Sequence, residues 1–94
     1  VEGMFLVTGG YDYEGEVPLM PTSTLEGAVE TCVRYAEYDY HDSYQIYLME
    51  LDEEVEELWW FRPSNLRGVG LEAVDYIVQN ILAERDKSAP GWRA

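Results

Sequence analysis

One cysteine and one histidine in the whole chain leave little from which to build a catalytic or metal centre. Cys32 alone cannot form an internal disulfide framework or a multi-cysteine zinc site, and a lone thiol fits a reducing cytosol. His41 lies between Asp39 and Asp42, which are hard oxygen ligands, but no companion imidazole or thiolate stands at zinc spacing. The ordered Asp/Asn-Gly-Glu pattern of a calcium loop is missing too. Neither a Gly-x-Ser-x-Gly elbow nor a phosphate-binding glycine loop occurs. Cys32 falls on the apolar side of a helical pattern, where a thiol packs and does not react. Close carboxylate pairs carry no specificity in a chain with 19 acids. The expectation is a non-enzymatic protein with no metal and no cofactor.

Basic residues are the next scarcity. Six Lys and Arg face 19 Asp and Glu, for a net charge of −13. Residues 1–57 hold fifteen acids and one base, Arg34, a balance of −14; residues 58–94 hold four acids and five bases, a balance of +1. Such a charge repels nucleic acid and anionic membrane and steers the chain toward basic surfaces, typically those of nucleic-acid-binding proteins or cationic toxins. Long apolar runs are missing as well: residues 4–7 and 58–61 are far too short for a membrane span or a signal-peptide core. A cytoplasmic location is expected. What the chain does have is apolar content of 47%, with eight Tyr, three Trp and two Phe. That is enough for a packed core, so the acids sit on a folded surface. Its 94 residues suit one domain, expected over residues 4–87. Val1, Glu2 and Gly3 precede an initiator-like Met4 and are expected to be a cloning remnant; residues 88–94, with Pro90 and Gly91, are expected to be a loose tail.

The apolar run at residues 4–7 predicts a strand ended by Gly9 and Gly10, and residues 16–20 a second short strand held to an edge by Pro18. Ser23, Thr24, Leu25 and Glu26 have the form of a capping box, with Ser23 as the cap. Leu25, Ala28, Val29, Cys32, Val33 and Ala36 then recur at helical spacing up to about Glu37. Residues 44–51 predict a strand apolar on both faces, and residues 55–61 its hairpin partner across the turn of Asp52, Glu53 and Glu54, with Val55, Glu57, Trp59 and Phe61 on one side. A loop, or at most one irregular turn, is expected over residues 62–70. Val74, Ile77, Val78, Ile81 and Leu82 mark a second helix that starts at Leu71 and ends near residues 85–87. This order predicts an α+β fold: a three- or four-stranded antiparallel sheet with two helices packed on one face, a split βαβ or ferredoxin-like arrangement without its last strand. The other sheet face would be open, to solvent, a partner or a second copy.

The opening apolar strand, the Tyr11, Asp12, Tyr13, Glu14 segment, the helix start at Ser23 to Glu26 and the tyrosine-rich third element resemble a class of short, often phage-encoded acidic α+β proteins. The resemblance covers about the first half of the chain and implies no catalytic residue. It does not extend to the second helix or to Trp59 and Trp60.

Three groups are candidates for partner binding. Glu50, Asp52, Glu53, Glu54, Glu56 and Glu57 place six carboxylates in eight positions, which suits either a solvated hairpin tip or an anionic ridge. Glu26, Glu30 and Glu37 fall within one arc of the first helix, Glu26 and Glu30 about 6 Å apart along its axis. Tyr11, Tyr13, Tyr38 and Tyr40 interleave with Asp12, Glu14, Asp39 and Asp42; tyrosine between carboxylates suits a protein-binding surface or the rim of a core. The Trp59, Trp60, Phe61 run puts large rings on both faces of one strand, so either Trp60 or the Trp59/Phe61 pair stands on the open face; Trp59 joins the candidates. The expected function is an acidic inhibitor that mimics nucleic-acid charge and blocks a basic, nucleic-acid-binding host protein, as an anti-CRISPR or anti-restriction factor would. An immunity protein against a cationic toxin and a small-molecule or nucleotide-binding domain with an aromatic pocket are the alternatives. No direct contact with nucleic acid or membrane is expected, and a homodimer through the open face is compatible with all three.

Overall fold

Gly9 and Gly10 do not end the first strand, because each occurs where a neighbour crowds the backbone. In the computed structural model, which describes residues 3–12, 14–38 and 41–88, β1 spans Gly3–Tyr11 and β2 spans Gly15–Thr22. A Cβ at Gly9 would lie 2.5 Å from the His41 ring, and one at Gly10 would collide with the Ser43 hydroxyl. Gly3 pairs with Glu50 and belongs to β1, so the structured part starts before Met4. β2 begins on Gly15, whose φ of 82° lets the chain reverse without a Cβ penalty. The expected tail lies, apart from Ser88, outside the described residues.

Helix α1 spans Leu25–Ala36, and Thr24 is its cap: the Thr24 hydroxyl accepts from Gly27 N at 3.0 Å. Ser23 therefore lies one residue too early for the role predicted for it, and Glu26 falls in the first turn, where a negative charge suits the helix dipole. β3 spans Ser43–Glu50 and β4 spans Glu56–Phe61. The expected loop contains a one-turn helix α2, Pro63–Leu66, started by a proline that needs no hydrogen-bond partner at that position. Asn65 fastens it, with Oδ1 accepting from Arg62 N at 3.2 Å and N donating to Arg62 O at 2.9 Å. A 3-10 turn, Leu71–Ala73, leads into α3, Val74–Ser88.

The four strands run β2-β1-β3-β4, every neighbouring pair antiparallel. β2 and β3 are thus parallel to each other with β1 between them, and the β2–α1–β3 connection is a split βαβ crossover. Pro18 and Pro21 both lie on β2, an edge strand, where a missing backbone donor leaves no ladder bond unmade. The fold is α+β, with the helices on one face. All six periodic positions of α1 are buried, and they meet Val7, Tyr44, Ile46 and Phe61 from the sheet and Val74, Val78 and Ile81 from α3. Leu71 and Leu82, at the rim of the α3 stripe, stay exposed.

Two register shifts change which side chains face which way. Val7 pairs with Met20 and Thr8 with Pro18, so Leu19 is an extra residue that packs against the core. Ile46 pairs with Trp59 and Tyr47 with Glu57, so Leu58 is extra in β4 and also packs against the core. The second shift breaks the predicted alternation: Glu57 shares the open face with Tyr47, while Trp59 and Phe61 face the helices. Burial pushes the Cys32 thiol up to about 12, only partly opposed by a backbone hydrogen bond. Ile46→Ala should cost about 2–5 kcal/mol, read as Cys32 becoming accessible to iodoacetamide at lower urea than in the parent chain; labelling of native Cys32 without denaturant would contradict this core.

Candidate functional site

The register divides the acids between two ends of the sheet. Gly3 pairs with Glu50 and Gly10 with Ser43, so the β1–β2 turn and the start of β3 share one end and the β3–β4 turn lies at the other. Asp12, Glu14, Glu37 and Asp42 are exposed at the first end, where Asp12 N donates to Asp42 Oδ2 at 2.8 Å. Asp52, Glu53 and Glu54 are exposed at the second, beside the half-buried Glu50; Asp52 takes a left-handed φ of 63° in the turn. Seven strand steps separate Ser43 from Glu50, roughly 23 Å, more than two screening lengths at physiological salt. The turn carboxylates form two separate poles, while Glu16, Glu26 and Glu57 are exposed elsewhere on the domain.

Two predicted acids are engaged within the chain. Glu30 takes Arg34 across one helical turn, at 2.8 Å to Nη2. Glu56 turns toward the helices and holds Arg85 of α3 through Nε at 2.9 Å and Nη2 at 3.2 Å. Glu26 remains exposed, at the mouth of a small apolar cleft between Phe5, Leu25, Leu48, Leu58 and Leu82. Tyr38 is exposed, whereas Tyr11 is half-buried. Tyr13, Asp39 and Tyr40 lie outside the described residues. Trp59 is half-buried against the core, so the ring that stands on the open face is Trp60, 45% exposed.

His41 stands half-buried in the loop that leads into β3, where a loop or surface position was expected. Its ring lies over the Gly9 backbone with Tyr11 at 5.0 Å, Tyr44 at 5.5 Å and Tyr35 at 6.3 Å between centroids. Tyr44 is itself core, fully buried, with its hydroxyl donating to Tyr35 O at 3.0 Å. Nδ1 of His41 is shielded from water and has no hydrogen-bond partner among the described residues. Burial holds its pKa below the usual 6.5, partly offset by the Asp42 carboxylate. The imidazole is a neutral packing group against a strand that glycine alone can bring this close.

The uncovered face holds a polar network that no sequence motif announced. Thr8, Ser43 and Gln45 are buried there, 6%, 8% and 5% exposed, although no helix covers them. With its amide nitrogen toward β1, Gln45 donates to Thr8 Oγ1 at 2.9 Å and Glu16 Oε1 at 3.2 Å. Its oxygen accepts from Ser43 Oγ at 2.6 Å and Trp60 Nε1 at 3.2 Å, so both ends are satisfied. Thr8 Oγ1 donates to Glu16 Oε1 at 2.7 Å, and the Tyr47 hydroxyl reaches the same carboxylate at 2.7 and 2.9 Å. Thr8, Gln45 and Tyr47 donate to Glu16, and Ser43 and Trp60 donate to the Gln45 oxygen behind it. Burial, the hydrogen bond to Glu16 and the charges of Glu16 and Glu57 all raise the Tyr47 pKa, so it stays a phenol and a donor. Among the described residues no group of three or more His, Cys, Asp or Glu is placed to hold a metal ion, and no helix is long and apolar enough to cross a membrane.

Glu16, Thr8, Gln45 and Tyr47 were missed, and Trp60 was left as one of two alternatives for the open face, because the face they share depends on three strand pairings and one bulge. The single signal was alternation: Ser43, Gln45 and Tyr47 are polar or amphipathic at every second position of a strand that otherwise reads as buried. Comparison with protein-family models, curated proteins and solved structures gave no match.

Two outcomes follow from this geometry. With its folded pKa below 6.5, His41 contributes stability that is fully present above that value and is lost as pH falls through the window beneath it. His41→Gln should remove that acid-side loss from a thermal-unfolding series, and an imidazole titrating at or above 6.5 by NMR would refute the burial. Tyr47→Phe removes one donor from Glu16 and should cost about 1 kcal/mol by urea unfolding, with a new Trp60 indole N–H shift as the network relaxes.

Proposed function

We propose that this protein is a non-enzymatic acidic inhibitor that occupies the nucleic-acid-binding surface of a basic partner protein. The observation that carries the reading is the placing of exposed carboxylates at both ends of one folded sheet, Asp12, Glu14, Glu37 and Asp42 at one and Asp52, Glu53 and Glu54 at the other. Holding like charges together is unfavourable for folding and gains nothing within the monomer, whereas against a lysine- and arginine-rich groove each carboxylate replaces a phosphate. The scaffold keeps the two poles roughly 23 Å apart, so a partner must bring basic residues spread over a comparable length, as a nucleic-acid channel does and a single basic spot does not. The bases Arg62, Arg67 and Arg85 belong to β4, α2 and α3 and their flanks, which leaves the rest of the molecule to carry the negative field. The mechanism is occupancy: no bond is made or broken, and release follows salt.

The resemblance in the first half of the chain supports a phage-encoded counter-defence factor as the setting, acting in the cytoplasm of a host cell. A cationic toxin as partner would use the same poles, and competition by nucleic acid separates the two. A protein captured on the immobilised chain should elute with rising salt and be displaced by duplex DNA or by RNA. The pairs Glu14→Lys with Glu37→Lys and Glu53→Lys with Glu54→Lys, all on exposed side chains, should each weaken capture by at least about tenfold with unchanged thermal unfolding. Capture that survives both pairs, or that nucleic acid does not displace, would refute the reading.

A further inference from the structure

We propose that the open sheet face around Tyr47 is the anchoring point for an arginine side chain of the basic partner; this deepens the charge-driven reading above and rests on it. Tyr47 stands on β3 and its hydroxyl meets Glu16 on β2, so its ring must span β1, the strand between them. Glu16 lies at the hydroxyl end of that ring. Glu57, the register partner of Tyr47 on β4, lies at the other, where directly opposed side chains have Cβ atoms about 5 Å apart. A half-buried aromatic ring with a carboxylate at each end is complementary to a cation that has a flat face to stack and several donors to share.

The chemistry selects guanidinium over ammonium. A guanidinium stacks on an aromatic ring and offers five donors in a plane, enough for two separate carboxylates, whereas an ammonium offers a compact, strongly hydrated charge. The chain makes the first half of this contact itself: Arg62 lies 5.0 Å above the Trp60 ring, and Trp60 is the register partner of Gln45. Among the described residues Glu16 Oε1 receives Thr8, Gln45 and Tyr47, while Oε2 receives the longer Tyr47 contact, so the second oxygen of this exposed carboxylate has the greater capacity to accept from outside. The network beneath holds Glu16 and Tyr47 before the partner arrives, which reduces the ordering cost of binding. A nucleobase would find the same ring, but its phosphate would meet Glu16 and Glu57.

Labelled nona-arginine and nona-lysine peptides titrated into the full chain test the assignment, by anisotropy and by backbone amide NMR. Nona-arginine should bind more tightly than nona-lysine, with saturating shifts at Thr8, Gln45 and Tyr47. Tyr47→Leu combined with Glu57→Gln should weaken nona-arginine about tenfold and erase the preference. Tyr47→Phe, which keeps the ring, should preserve most of the preference even if the double variant folds poorly. Binding unchanged in the double variant, with shifts confined to the two poles, would overturn the anchor and leave the charge-driven reading intact. Equal binding of the two peptides at this face would overturn the choice of arginine. No binding of either peptide would overturn both readings.

Discussion

The apolar stripe of α1 can be buried against only one face of the sheet, and that packing sets the problem the rest of the molecule solves. Ala28, Val29, Cys32 and Val33 meet Val7 and Ile46 with no exposed remainder, and α3 closes the same layer through Val78 and Ile81. With both long helices committed to one side, no second layer covers the opposite face among the described residues. A sheet face left apolar would invite association, and one left polar would leave its side chains in water. In this chain Leu6, Met4 and Met49 share the face with Tyr47 toward one end, while toward the other Tyr47 and Trp60 join a hydrogen-bonded network of Thr8, Ser43 and Gln45 in which Thr8, Gln45 and Tyr47 donate to one carboxylate, Glu16. Buried polar groups are costly unless each finds a partner, so a network satisfied at every member specifies side-chain positions as firmly as a core does.

Electrostatics adds a second constraint. Fifteen acids in the first 57 residues would oppose folding strongly if the fold gathered them, and the antiparallel register keeps them apart instead. The acids of the β1–β2 turn and those of the β3–β4 turn are separated by the length of a strand, where screening makes them nearly independent. Inside the domain, acids that face the helices meet bases, as Glu56 meets Arg85. Uncompensated charge is thus concentrated at the two ends, and the open face between them carries the aromatic contact area together with Glu16 and Glu57. Charge that brings a partner in from a distance and aromatic area that holds it at contact are different demands, and this geometry gives each its own place.

Several of these features were legible in the chain itself. The six buried positions of α1 follow from helical spacing, the edge position of β2 from Pro18, and the side of the sheet left open from the order of the elements. The cap was misplaced by one residue because Ser23 and Thr24 are adjacent and both have the chemistry; which hydroxyl meets a helix amide depends on where the chain leaves β2. Gly9 and Gly10 looked like strand terminators because glycine ends strands more often than it continues them, yet here each admits a close neighbour, the His41 ring and the Ser43 hydroxyl.

Net charge, its division between the two parts of the chain, the presence of a single cysteine and a single histidine, and the amphipathic periods are properties of composition and of neighbours along the chain, so the sequence alone determined them. Where the charges lie relative to one another, and which side chains share the open face, are properties of pairing between residues far apart in sequence. One extra residue in β4, Leu58, moved Glu57 to the side of Tyr47, and the pairing of Trp60 with Gln45 decided between the two alternatives for the open-face ring. In a strand each single-residue slip reverses the face of every side chain beyond it, so only the assembled sheet could decide between those arrangements.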